Sequence, residues 1–314
     1  MTESEETQAP IPVIDISNPT KEVAQQSREF FQSPIERKQE FAIHSEKAGG
    51  INRGWVSMQG ESLDPDGQKD QKEAFNIAPP NPTPQPLPSP LSKNAPLISR
   101  FQNTCQTLCT TLLALLAQAL EIPDQEYFTT RHNQSLGPSG TIFRLLYYPP
   151  SLPSTQKSIR AGAHSDYGTL TLLFRLPGQP GLELLTPSHT WIPVPVNPSP
   201  STLPHPPILV NIGDLLSFWT RGMLKSTVHR VVFEGGEAAR ERYSMAYFCH
   251  PLDGVVLGGL PSGVVERFGE RGRGELEGQR RRLGLGLDGE GEGEGEGLTA
   301  KMHLERRLKV TYGI

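Results

Sequence analysis

His164 and Asp166 place an imidazole and a carboxylate two residues apart. On a strand, alternate side chains share a face, so both groups can address one point. His229 comes 63 residues after Asp166, inside the β-branched run Thr227–Phe233. If strand pairing brings that run beside His164, two imidazoles and one carboxylate converge. That donor set binds non-haem Fe(II) facially and leaves three octahedral positions open. Zinc more often closes a tetrahedron or keeps one water. Taken alone, H-x-D recurs by chance beside turns, and a lone His229 reads equally as a satisfied core histidine. Arg242 and Ser244 lie two apart in the next run. The guanidinium is a planar fork suited to a carboxylate, and the serine adds a short donor beside it. Tyr148, just before Pro149, offers a third donor. Singly, these read as an exposed ion-pair partner, a strand serine and a core or interface tyrosine.

The elements that must position these groups begin near residue 140. Short β-rich runs follow at Thr141–Tyr148, around His164, and at Thr169–Arg175, Leu182–Thr186, Thr190–Val194, Ile208–Ile212, Leu215–Thr220, Thr227–Phe233 and Tyr243–Cys249. Pro and Gly separate them, which is the pattern of a sandwich, barrel or jelly roll. The expected fold is therefore mainly β with flanking helices, around a double-stranded β-helix (a cupin-like jelly roll) at 136–255. Residues 1–10 read as a disordered tail. Residues 11–135 read as a helical and extended region packing on the barrel, with a strand at Ile11–Ile16 and a helix at Lys21–Phe31. Residues 48–72 read as a surface loop. Pro79 to Pro96 holds eight prolines and must be extended. Leu97–Leu120 is the longest helix signal, apolar nearly all round and expected to be mostly buried. Residues 256–297 read as a low-complexity acidic loop, with Gly-Glu repeats from Gly289. A final helix occupies 298–314, with Thr299 as its N-cap.

The 314 residues carry 31 Gly and 30 Pro, well above average usage, which argues against an all-helical bundle and favours many turns. The net charge of −4 gives no support to nucleic-acid binding. No apolar run reaches membrane-spanning length, and the polar start lacks a secretory pattern. Cys105, Cys109 and Cys249 fit neither a disulfide framework nor a zinc pattern. A reduced, cytoplasmic, soluble protein is expected. Other candidates lack support: His132, His189 and His205 have no partners at ligand spacing, and His250 is expected near the surface.

The stretch Ala161-Gly-Ala-His-Ser-Asp-Tyr-Gly-Thr-Leu-Thr-Leu-Leu-Phe174 resembles the iron-binding segment of the isopenicillin N synthase-like 2-oxoglutarate/Fe(II) dioxygenases. So do Leu209-Val-Asn-Ile-Gly-Asp-Leu-Leu-Ser-Phe-Trp219 and Lys225-Ser-Thr-Val-His-Arg-Val231. Glu241-Arg-Tyr-Ser-Met-Ala-Tyr-Phe248 resembles the family's R-x-S strand, and Ile11–Ile16 with Arg53-Gly-Trp55 its N-terminal region. The wording is closest to fungal members. The resemblance implies that His164, Asp166 and His229 bind Fe(II). It implies that Arg242 and Ser244, assisted by Tyr148, bind 2-oxoglutarate. The implied reaction hydroxylates, desaturates or cyclises a small organic molecule, while O₂ and 2-oxoglutarate give succinate and CO₂. A monomer with a small-molecule substrate, and no nucleic-acid or membrane partner, is the expectation. The N-terminal region looks shortened against the family: the segment after Asp15 passes almost directly to Ser27–Phe31, and a sheet-extending strand is missing. Two other functions fit the same residues. One is an iron oxidase without 2-oxoglutarate, its R-x-S pair holding the substrate carboxylate. The other is a truncated, catalytically silent binding protein.

Overall fold

A computed structural model describes residues 17–64, 68–80, 83–150, 157–235, 240–282 and 297–313. The expected tail at 1–10, the strand at 11–16 and the Gly-Glu repeats lie outside these residues. In chain order the elements are α1 (Ser17–Phe31), α2 (Ile35–Gln39), β1 (Gly54–Val56), β2 (Glu73–Ile77), α3 (Ala95–Ala119), α4 (Tyr127–Arg131), β3 (Ile142–Tyr148), β4 (Ser158–His164), β5 (Leu170–Arg175), β6 (Leu182–Leu185), β7 (Trp191–Pro193), β8 (Leu209–Ile212), α5 (Asp214–Trp219), β9 (His229–Phe233), β10 (Arg242–Cys249), α6 (Gly263–Phe268), α7 (Arg273–Arg282) and α8 (Ala300–Tyr312).

Two antiparallel sheets face each other. One has the order β1-β2-β3-β10-β5-β8, the other β4-β9-β6-β7. Strands β3 to β10 thus divide four and four, which is the double-stranded β-helix expected from the sequence. Alternation sorts the side chains of β10 cleanly. Tyr243, Met245, Tyr247 and Cys249 face the helices and belong to the main core. Arg242, Ser244, Ala246 and Phe248 line the space between the sheets.

Helices α1 and α3 cover the outer face of the larger sheet. Phe101 of α3 sits 5.1 Å from Phe143 and 5.0 Å from Phe174, centroid to centroid. Helix α3 buries Ile98, Phe101, Cys105, Cys109, Leu113 and Ala117, a stripe at three- and four-residue spacing. It is not buried all round as expected: Leu115 is exposed, and Leu108, Leu112 and Leu116 are half-buried. The threonines on its other face turn their hydroxyls back to carbonyls four residues earlier, as Thr104 does to Arg100 and Thr111 to Thr107. Its C-terminal carbonyl at Leu120 accepts a hydrogen bond from Ser262 Oγ, which is also the N-cap of α6.

Five further expectations need correction. Pro79–Pro96 is not extended throughout, because Leu91–Asn94 form a short 3-10 turn and α3 starts at Ala95 with Pro96 in its first turn. The run Leu215–Thr220 is not a strand: residues 214–219 form α5, because Gly213 and Asp214 start a helix turn that buries Leu215, Leu216 and Trp219. The segment 48–72 is not simply a surface loop, since it holds β1 and the buried Glu61 and Asp70, and Lys72 beside them is buried too. The region 256–297 is not one loop, because α6 and α7 occupy 263–268 and 273–282. His250 is 4% exposed and lies under α8, not near the surface.

The outer edge of β1 is covered. Ala42 bridges Trp55 in parallel, Trp55 N donates to Phe41 O at 2.7 Å, and Ile43 N donates to Trp55 O at 2.8 Å. Lys38 and Trp55 Nε1 both reach Glu73 Oε2 at 2.7 Å, docking α2 onto the sheet. An edge that would otherwise be open is thus satisfied by local chain.

Candidate metal and co-substrate centre

His164 closes β4 and stands directly opposite His229 in the β4–β9 ladder. Two register shifts interrupt that ladder between Ile159 and His164. Asp166 is not on the strand; it lies in the turn that follows. That turn is fixed by Asp214 N donating to Asp166 O at 2.7 Å. It also needs glycine: a Cβ on Gly213 would lie 2.2 Å from Gly168 O.

The potential ligand atoms of His164, Asp166 and His229 all lie within 4.8 Å of one another. His164 Nδ1 donates to Gly162 O at 2.7 Å, and His229 Nδ1 to Thr227 O at 3.0 Å. Both bonds leave Nε2 as the free donor atom facing the centre, as a metal-binding imidazole requires. Burial, reinforced by the facing His229, depresses the His164 pKa to about 3, so its ring is neutral at pH 7. Burial alone would raise the Asp166 pKa. The two imidazoles and the Asn211 amide, which donates to Oδ2 at 2.8 Å, hold it below the usual carboxylate value. The neutral His164 ring, the His229 imidazole and an ionised carboxylate are a donor set that fits a divalent cation with open positions.

Arg242 is 4% exposed and has no carboxylate partner among the described residues. Its Nε donates to Pro180 O at 2.9 Å, its Nη1 to Ser244 Oγ at 3.3 Å, and it lies over the Tyr148 ring at 4.8 Å. Tyr148 is its direct partner across the β3–β10 ladder. Burial pulls the Arg242 pKa below its ordinary value, the signature of a cation lacking compensation. The cavity it faces is also lined by His164, Asp166 and His229. All six residues singled out in the sequence therefore border one space.

Sequence reasoning missed the supports. Asn211 and Asp214 sit inside the Leu209–Trp219 segment, but nothing in their types alone assigns them. Asp214 is fully buried; Ser165 Oγ and Gln279 Nε2 donate to it at 3.0 Å each, and Arg307 pairs with it at 3.4 Å. Carboxylate and guanidinium thus tie the metal turn to α7 and α8. A second cavity shares Leu146, Tyr148, His164, Asp166 and Phe248 with the first. Its far wall is a polar network with no counterpart in the sequence reading. Lys72 pairs with Glu61 at 2.6 Å and Asp70 at 2.5 Å, Arg144 pairs with Glu61 at 2.6 Å, and Tyr312 donates to Glu61 at 2.7 Å.

Residues 139–251 match the family described as the 2OG-Fe(II) oxygenase superfamily, and residues 16–97 match the N-terminal region of the non-haem dioxygenases in morphine synthesis. The proline hydroxylase buaE of Petromyces alliaceus is 31% identical over 241 residues, covering 73% of this chain and 72% of that protein. The chain belongs to the 2-oxoglutarate/Fe(II) oxygenase superfamily. A UPF0676 protein of Schizosaccharomyces pombe is 35% identical over 231 residues, and the match spans 71% of this chain but only 66% of that relative. Among solved structures, T7H of Neurospora crassa, in complex with alpha-KG and 5-formyluracil, is 28% identical with a TM-score of 0.68, covering 95% of this chain and 83% of that one. No helix among the described residues is long and apolar enough to cross a membrane.

Proposed function

We propose that this protein is a 2-oxoglutarate- and Fe(II)-dependent oxygenase of a small organic molecule. His164, Asp166 and His229 hold the metal, and Arg242, Ser244 and Tyr148 take the distal carboxylate of 2-oxoglutarate. The observation that carries this reading is the buried Arg242 without an anion, in the same cavity as three convergent ligands. An uncompensated buried cation is costly, and a carboxylate ligand removes that cost. Bound Fe(II) and 2-oxoglutarate supply O₂ activation, coupling decarboxylation to succinate and CO₂ with oxidation of a substrate C–H bond.

The chain's own residues have four tasks. The carbonyls of Gly162 and Thr227 orient the imidazoles. Asn211 keeps Asp166 ionised and aimed. Arg242 and Ser244 fix the co-substrate at its far end. The apolar lining Leu146, Leu173, Leu182, Val231 and Phe248 keeps water from the reacting atoms. The substrate then enters from the second cavity, on the other side of the ligand set.

Anaerobic titration with Fe(II) and then 2-oxoglutarate tests the proposal. A visible charge-transfer band is expected, lost in Asp166→Ala and weakened in Arg242→Ala. Stoichiometric iron without a band would point to the oxidase reading. Absence of iron binding would point to a silent binding protein.

A further inference from the structure

The wall of the second cavity carries two buried polar atoms that find no partner among the described residues. Asn76 is 1% exposed, and its Oδ1 has no partner among the described residues. Its orientation is settled by its neighbours: Nδ2 donates to Asn52 Oδ1 at 2.9 Å and to the Asn52 carbonyl at 3.2 Å, and a carbonyl can only accept. The unsatisfied atom is therefore an acceptor. Arg144 has a buried Nε–H with no partner among the described residues, while its Nη2 is engaged by Glu61. That atom is a donor. Asn76 and Arg144 are direct partners across the β2–β3 ladder, so both side chains stand side by side on one face. Both line the cavity that also contains His164 and Asp166.

We propose that Asn76 and Arg144 are a substrate-recognition pair for an uncharged ring carrying a cis-amide edge, a lactam or imide. The inference rests on the iron-site reading above and adds the substrate class. In a cis-amide, the carbonyl oxygen and the N–H point the same way from adjacent atoms. The carbonyl accepts from Arg144 Nε, and the N–H donates to Asn76 Oδ1. A trans amide points them apart and satisfies one residue at most. The charges argue for a neutral ligand. Lys72 and Arg144 are matched by Glu61 and Asp70, so the wall has no spare charge for an ionised substrate. Tyr148, Tyr167 and Phe248 also line the cavity and suit a flat ring.

The test uses the full chain, loaded anaerobically with Fe(II) and 2-oxoglutarate. Equilibrium dialysis measures binding of uracil, 2-pyridone and 2-piperidone, each beside its N-methylated form, with L-proline as a charged comparator. At least one N–H ring is expected to bind, with its N-methyl form about tenfold or more weaker, because the methyl strands a buried acceptor. Arg144→Lys keeps the charge beside Glu61 but lacks Nε–H; Asn76→Leu lacks the acceptor. Each is expected to weaken the N–H ring about tenfold while keeping the charge-transfer band. Equal binding of N–H and N-methyl rings, undiminished binding by both variants, tighter binding of L-proline, or no binding of any ring overturns the proposal. If a variant loses the band, the N-methyl comparison on the unaltered protein decides. If the unaltered protein gives no band, the iron-site reading falls, and dialysis against the protein alone still decides the pair.

Discussion

Asn211 illustrates how a residue outside the ligand triad can set the properties of the metal centre by holding one of its members. Its amide reaches the carboxylate oxygen of Asp166 that faces away from the imidazoles. Asn211→Leu is expected to weaken Fe(II) affinity about tenfold to a hundredfold, measured by competition with a chelator. Arg242 makes the reverse case, a group whose ligand is worth more than its neighbours. Saturating 2-oxoglutarate should raise the melting temperature of the unaltered protein, and should not raise that of Arg242→Met. An equal rise in both would remove Arg242 from the co-substrate site. Residue type and two-residue spacing offered His164 and Asp166 as one candidate pair, but only the resemblance of Ala161–Phe174 and Lys225–Val231 to the family's segments singled out the full triad with His229, 63 residues on. Asn76, Glu61 and Arg144 were not legible. Their roles arise from the pairing of β2 with β3 and from the fold of a segment that reads as loop, and neither register nor long-range burial is encoded in local spacing.

At the scale of elements, short β-rich runs parted by Pro and Gly made the jelly roll readable and also produced the main error. Leu215, Leu216 and Trp219 are apolar and bounded by turn residues, which fits a short strand as well as a helical turn. Tertiary context chose the helix: its first turn places the Asp214 carboxylate where Ser165, Gln279 and Arg307 meet. Asp214→Ala should cost about 3 kcal/mol in chemical denaturation, because it leaves the Arg307 guanidinium without its anion. A loss below about 1 kcal/mol would show that the junction of α5, α7 and α8 is not a strut. His132, in the chain just after α4, links that helix to the turn before β5. Its Nδ1 donates to Phe128 O at 2.7 Å, and Nε2 accepts from Thr169 Oγ1 at 2.9 Å. Burial lowers its pKa to about 4. The folded state therefore resists a proton that the unfolded chain accepts below about pH 6.5. The effect is absent above that pH, grows as pH falls toward 4, and reaches about 3 kcal/mol of lost stability. Denaturation curves at pH 7 and pH 4.5 should show the loss, and His132→Gln should make the dependence shallower.

The molecule as a whole is a barrel closed on one face by α1 and α3. Cys105, Cys109 and Cys249 meet in that seam, all three buried and unpaired. Burial pushes the Cys105 thiol well above its ordinary pKa, and Cys109 beside it does the same for Cys249. A thiol-specific reagent should therefore react slowly and in step with all three in the native protein, and fast once denatured. Fast reaction of a single thiol would show that α3 opens without the sheet. The opposite end depends on residues far apart in the chain. Leu304, Leu308, Thr311 and Tyr312 of α8 complete the second cavity, and Tyr167, after the metal turn, is hydrogen-bonded to Thr311. A ribosome releases the eight barrel strands before it releases α8. The nascent barrel can pair its strands and still lack Arg307 against Asp214 and Tyr312 against Glu61. A chain cut short of its final helix would therefore emerge as a barrel whose second cavity lacks the wall that Leu304, Leu308, Thr311 and Tyr312 provide.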